Sequence, residues 1–244
     1  MKIVATIEAR MSSSRLPGKV LLPVMGRPML SYLLARLRAV PSIAECVLAT
    51  TTNRDDDVLA AFAASENLRC FRGSEADVMG RVIGAAEAAD ADVIVEITGD
   101  CPLIDPDIIE QTIQMFLHHD AAYVSNCHIR SYPDGMDTQV FRLDSLRRSA
   151  ALTDELLDRE HVTLHMRHNP HLFPAVHLIA PPSLHWPELG LTLDEESDYR
   201  LLTRIIEAFE PSFPLFSCAD VIQLLRERPD LVEVNRHVPR KGDT

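Results

Sequence analysis

Arg10, Arg15 and Lys19 stand five and four residues apart, with Ser12, Ser13 and Ser14 among them and Pro17 and Gly18 closing the group. Arginine offers a planar fork to phosphate oxygens and lysine a point charge. Successive backbone N–H groups in a glycine-containing loop form a nest for anions. The segment follows directly on the apolar run at residues 3–7, so the cations hang from the end of a strand, where positive loops meet phosphate. The spacing is not GxxxxGK[ST], which sets it apart from the Walker loop. Residues 1–38 hold seven Lys or Arg against one acid, Glu8, in a chain of net charge −12. Such a local excess in an acidic chain points to a small anion such as a triphosphate. A nucleic acid would require a long basic stripe. The alternative reading of the same residues is a solvated basic loop with an ordinary Pro17-Gly18 turn.

Two carboxylates complement those cations. Asp100 follows Gly99 after the apolar run at 93–97 and precedes Pro102, and Asp194 follows Leu191-Thr192-Leu193. Magnesium uses one or two carboxylates together with phosphate oxygens and water, which makes Asp100 and Asp194 the candidate ligands; Asp is equally at home in a turn or cap. Helix starts attract acids, and that accounts for Asp105 as the cap before Pro106 and for Glu195, Glu196 and Asp198. Ser74 is expected to cap a helix with Glu75 and Asp77 in its first turn. This leaves Arg81, on an otherwise small and apolar helix, either to reach the ligand pocket or to lie on the surface. His161, His165 and His168 are expected on one helical face. Three such residues on one helix rarely converge on zinc, so His161 is read as an acceptor contact.

The elements that position these residues alternate. Short β-branched runs at 3–7, 46–50 and 93–97 are separated by segments of helical period such as Met29, Leu30, Leu33, Leu34 and Leu37, the β-α-β pattern of a mostly parallel sheet covered by helices. A brief strand is expected near 69–71 and a helix over 106–118. From 121 onward the pattern predicts strands at 121–124 and 138–141 joined by a hairpin turn at Tyr132-Pro133-Asp134-Gly135. Helices near 143–152 and 158–168, strands at 175–179 and 191–193, and helices to about 209 and over 219–227 follow. At 244 residues and 46% hydrophobic content, one domain is expected: a nucleotide-binding half (1–120), an acceptor and metal-completing half (121–210), and a C-terminal helix and tail (211–244). Five cysteines without a CxxC pair read as reduced thiols in the cytoplasm. The run at 3–7 is too short for a membrane span.

Ala9-Arg10 through Leu16-Pro17-Gly18-Lys19, with Gly99-Asp100-x-Pro102-Leu103-Ile104 and the later Asp194-Glu-Glu-x-Asp198, resembles the sugar-acid cytidylyltransferases. These include the acylneuraminate and 3-deoxy-manno-octulosonate enzymes, and the resemblance is strongest to the spore-coat polysaccharide cytidylyltransferase-like branch. It is strong over residues 3–37 and 92–105 and extends over 130–200. It implies a Rossmann-like nucleotidyltransferase, a three-layer α/β sandwich that uses CTP and magnesium. Arg10, Arg15 and Lys19 would hold the triphosphate, and Asp100 and Asp194 the metal. Ala9, Arg10, Ser14, Thr98, Gly99 and Arg81 would line the nucleotide site. Asp137, Arg159 and His161 would meet the acceptor. The chain departs from the octulosonate enzymes' Gln-Gly-Asp at Thr98-Gly99-Asp100, and from the acylneuraminate enzymes' Gly-Ser-Lys-Gly at residues 12–15.

The implied reaction is transfer of CMP from CTP to a nonulosonic or octulosonic acid with release of pyrophosphate, for a surface polysaccharide. Possible variants are a phosphonate or phosphorylated acceptor, a glycosyltransferase consuming a nucleotide sugar, and a non-catalytic nucleotide-binding module. The expected partners are CTP and a small acceptor, with no nucleic acid or membrane, and the resemblance implies a homodimer.

Overall fold

A computed structural model describes residues 1–210 and 212–240. The polar tail beyond Arg240 lies outside the described residues. The apolar runs become strands: β1 (Ile3–Glu8), the two-residue pair β2 (Pro23–Val24) and β3 (Arg27–Pro28), β4 (Glu45–Thr51), β5 (Arg69–Gly73), β6 (Val93–Thr98), β7 (Tyr123–Ser125), β8 (Gln139–Arg142) and β9 (Ala175–His177). Between and after them run α1 (Met29–Arg38), α2 (Asp57–Ser65), α3 (Val78–Ala88), α4 (Pro106–His118), α5 (Leu143–Ala150), α6 (Leu156–Glu160), α7 (Leu164–His168), α8 (Glu196–Phe209), α9 (Cys218–Glu227) and α10 (Pro229–Val232).

The main sheet has seven strands in the order β5-β4-β1-β6-β8-β7-β9. β5, β4, β1 and β6 are parallel, β8 runs antiparallel to both β6 and β7, and β9 is parallel to β7. The period of two along the strands divides the core. Ile3, Ala5, Ile7, Val93, Val95 and Ile97 pack against Leu30, Leu33, Leu34 and Leu37 of α1 and Ile109, Ile113 and Phe116 of α4. Val4 and Ile94 face the other way, onto Met79, Val82, Ala85 and Ala86 of α3 and Leu146 of α5. This is the expected three-layer mixed α/β arrangement, with helices on both faces of the sheet. A further apolar cluster joins Leu201, Leu202 and Ile205 of α8 and Val221, Ile222 and Leu225 of α9 to Met29, Tyr32 and Met136.

Several local expectations are corrected. Residues 132–135 are not a hairpin turn: β7 and β8 are joined by the whole of 126–138. In that loop Tyr132, Asp134 and Met136 are buried, Gly135 has φ 104°, and Asn126 pins the strand ends through Met136 O (2.6 Å) and Thr138 N (2.7 Å). Residues 191–193 form no strand, only an isolated bridge from Gly190 to Asp134, because Leu191 and Leu193 turn into the α8–α9 core. The helix expected over 158–168 breaks between α6 and α7, where Val162 takes φ 42° to bury its side chain under α3 and α5. Asp77 rather than Ser74 caps α3, accepting from Gly80 N at 2.8 Å, while Ser74 Oγ accepts from Asp77 N. Asp105 caps α4 as expected and also accepts from Cys218 N at 2.6 Å, tying α4 to α9.

Candidate active site

β1 delivers the cationic loop at its carboxyl end, and two acids, buried Asp56 and half-exposed Glu75, shape it. Met11 N donates to Asp56 Oδ1 at 2.7 Å, and Gly18 N returns to Met11 O at 3.0 Å. Gly18 has φ 70°, where a side chain would be strained and would crowd Met11 Cε at 3.1 Å. Glu75, expected only as a helix-start acid, secures the outer half of the loop. It accepts from Ser12 Oγ (2.5 Å), Asn53 Nδ2 (2.6 Å) and Arg10 (3.1 Å). The hydrogen bonds from Ser12 and Asn53 hold the Glu75 carboxyl below its ordinary pKa, against partial burial.

The carboxylates are brought to the same place by a backbone bridge. Leu193 N donates to Asp100 O at 2.8 Å, which sets Asp194 beside Asp100. Asp198, wholly buried, accepts from Asp194 N and Glu195 N at 3.1 and 2.8 Å. Lys19 Nζ then lies 2.7 Å from Asp100 Oδ2 and 3.0 Å from Asp194 Oδ1, and Arg15 Nη2 reaches Asp194 Oδ1 at 2.7 Å. Burial works against the Lys19 charge, but Asp100 and Asp194 outweigh it and raise the lysine pKa. Burial likewise opposes ionisation of Asp194, yet Lys19 and Arg15 hold its pKa low. Lys19 and Asp194 are therefore held in their charged forms, and the Lys19 side chain lies between the two acids. A divalent cation with phosphate oxygens fits that donor set, whose two carboxylates are the usual protein contribution to magnesium.

A cavity of about 430 Å³ opens here, walled by Ala9, Arg10, Ser14, Arg15, Lys19, Arg81, Thr98, Asp100, Asp137, His161 and Asp194 among others. Gly99 and Arg159 lie outside its lining. Gly99 is a packing residue: a Cβ there would come within 2.9 Å of Ala9 Cβ and Glu8 O. Arg159 makes a two-pronged ion pair with Asp77 (2.9 and 2.5 Å) that fastens α6 to the start of α3. Arg81 lines the cavity but is 4% exposed, its guanidinium donating to the carbonyls of Ala49 and Ser74. The three histidines do not share one helix: His161 follows α6 and lines the cavity, whereas His165, which bonds Ser149 Oγ at 3.0 Å, and His168 lie on α7.

Glu8, Asp134, Glu160, Arg130 and Arg167 stand in the same walls; sequence reasoning gave no individual role to Glu8 or Glu160 and took Asp134 for part of a turn. Their signal is weak because the broken helix and the long 126–138 loop that carry most of them have no simple period. Glu8 also lines a second cavity of about 180 Å³, whose walls include Glu96 and Gln139.

A family model for cytidylyltransferases matches residues 4–211. The chain belongs to the cytidylyltransferase family. It is 34% identical over 235 residues to the Bacillus subtilis spore coat polysaccharide biosynthesis protein SpsF, covering 93% of this chain and 95% of that one. It is 31% identical over 172 residues to the 3-deoxy-manno-octulosonate cytidylyltransferase of Geobacter metallireducens, covering 70% of this chain and 62% of that one. The structure of a cytidylyltransferase from Leptospira borgpetersenii superposes with a TM-score of 0.90 at 30% identity over the whole of both chains. The resemblance drawn from the sequence motifs to sugar-acid cytidylyltransferases thus holds, and with it the Rossmann-like nucleotidyltransferase fold. As a cytidylyltransferase, the chain is an enzyme that takes CTP. Among the described residues, no helix is long and apolar enough to cross a membrane.

Proposed function

We propose that the chain transfers CMP from CTP to a sugar acid of nonulosonic or octulosonic type, releasing pyrophosphate, in the synthesis of a surface polysaccharide. The observation that carries the reading is the meeting of Arg10, Arg15 and Lys19 with Asp100 and Asp194 in one cavity, with Lys19 bridging both carboxylates. Asp100 and Asp194 would hold magnesium, which when bound neutralises triphosphate charge and polarises the phosphorus under attack. Arg10, Arg15 and Lys19 balance the charge that grows on the departing pyrophosphate, an interaction stronger in the transition state than in the ground state. Ala9, Ser14 and Thr98 face the nucleoside. Asp137 and His161, joined by Arg130 and Arg167, orient the acceptor so that its hydroxyl meets the α-phosphorus in line.

Arg130 and Arg167 in the cavity wall also favour a second acceptor class, a phosphonate or phosphorylated compound. One screen tests both. Pyrophosphate release is measured with magnesium and each of four nucleoside triphosphates against octulosonate, nonulosonic acids and phosphorylated acceptors. The reading expects release with CTP and a sugar acid. Release only with phosphorylated acceptors would replace it, and release with another triphosphate alone would contradict it.

A further inference from the structure

Asp194 enters the cavity on residues 191–195, which form neither helix nor strand, so its place depends on individual anchors. Leu193 N on Asp100 O secures one side of the stretch. Asp198 secures the other, and its carboxylate faces two ways. Oδ2 accepts from Asp194 N at 3.1 Å and Glu195 N at 2.8 Å. Oδ1 accepts from Asn235 Nδ2 at 2.8 Å and Arg240 Nη2 at 3.0 Å. Both donors on that far side lie beyond residues 4–211, the part of the chain that the family model matches. We propose that Asn235 and Arg240 are positioning residues for the reaction, holding the magnesium ligand Asp194 in place through Asp198. The inference rests on the reading of Asp194 as that ligand and deepens it.

Burial makes the anchorage matter. Asp198 is wholly buried, and Arg240, its side chain 17% exposed, supplies it with a cation at 3.0 Å. A buried carboxylate that loses such a partner is left uncompensated, which disturbs whatever else it holds. Asn235, itself buried, also donates to Gly190 O at 2.9 Å. Arg240 Nη1 donates to Thr192 Oγ1 at 3.4 Å, and that hydroxyl lies 3.4 Å from Asp194 Oδ2. The end of the chain therefore touches Gly190, Thr192 and Asp198, on both sides of Asp194 in sequence.

Gly190 makes room for this contact, because a Cβ there would overlap Arg240 Cζ. The donors are themselves fixed. Leu231 and Val234 pack into the apolar cluster of α8 and α9, and Val238 is buried. Partners that orient a metal ligand from behind are typically worth about 10–100-fold in metal affinity.

The test reads metal binding rather than turnover. CTP is titrated into the full chain by calorimetry, once with magnesium and once with EDTA, and the ratio of the two affinities is the gain that magnesium confers. In Arg240→Ala that gain should shrink about tenfold, with the affinity in EDTA little changed. Arg240→Lys, which keeps the charge without the planar fork, should recover part of it. Gly190→Ala should reproduce the loss by expelling the guanidinium, and the double variant should be no worse than either, because both act through one contact. Hydrogen exchange at the Asp194 and Glu195 amides should quicken in the same variants, with circular dichroism confirming folded protein. Should Arg240→Ala not fold, Gly190→Ala and Arg240→Lys make the same comparison. An undiminished magnesium gain in the folded variants, or an equal loss with and without magnesium, would overturn this inference, and loss of the gain in Asp194→Asn would then leave the metal reading standing. A gain undiminished in Asp194→Asn would overturn both.

Discussion

Lys19 and Asp100, 81 positions apart, meet at 2.7 Å where β1 and β6 end side by side. Adjacent parallel strands deliver their following loops to one edge of the sheet, so a phosphate-binding cation and a metal-binding carboxylate are placed together by topology. Each is held by the other until a ligand arrives. A magnesium triphosphate chelate carries both partners, cation for the carboxylate and anion for the ammonium, and so can replace the pair without leaving either charge unmatched.

Replacing Asp100 by Asn should therefore cost about 100-fold or more in pyrophosphate release, the scale seen when one charge-stabilising group is lost. The protein should remain folded, because the Leu193 bond uses the Asp100 backbone carbonyl and not the side chain. Steady-state rates and circular dichroism on the same sample check both halves.

Gly99→Ala is expected to destabilise by about 1–3 kcal/mol, since the new methyl meets Ala9 Cβ and the Glu8 carbonyl at 2.9 Å. The displaced loop should also raise KM for CTP. A thermal melt indistinguishable from the parent would show that the strand ends have room that the geometry denies.

How much of this was legible in the sequence differs from residue to residue. β1, β4 and β6 were readable because each is a short β-branched run bounded by helical period, and Arg10 to Lys19 because its charges lie together in the chain. The Arg159 pairing was not legible because its partner Asp77 lies 82 positions away. The break at Val162 was invisible because its cause is burial against α3 and α5. Glu8 stood in plain view as the lone acid of its region, yet its pairing with Glu96 depends on strand register, which no local pattern encodes.

Arg159→Ala separates the two readings of that residue. The Asp77 pair is two-pronged but partly open to solvent, so its loss should cost about 1 kcal/mol of stability. KM for the acceptor should not change. A large acceptor KM increase with an unaltered melting temperature would restore the contact role assigned from sequence.

The Glu8–Glu96 pair makes a prediction about pH with a definite sign. Burial raises both carboxyls above the ordinary 4.5, and the neighbouring Glu96 raises Glu8 further. Between 4.5 and the folded value the native state therefore holds protons that the unfolded chain has released, and stability falls as pH rises through that window. Glu8→Gln removes the cost. Its melting temperature should match the parent near pH 4 and exceed it at pH 8, by about 2–4 °C for each kcal/mol relieved. Equal melting temperatures at both pH values would mean that the pair carries no shared proton.

The central claim is that the Arg10–Lys19 loop and the Asp100–Asp194 pair grip one magnesium triphosphate. Calorimetric titration of CTP with magnesium into the parent protein and into Lys19→Met tests it most directly. The account predicts binding by the parent and a loss of affinity of about 30-fold or more in the variant, as expected for removing a charge-assisted contact from a largely buried site. Unchanged affinity in a folded Lys19→Met would contradict it.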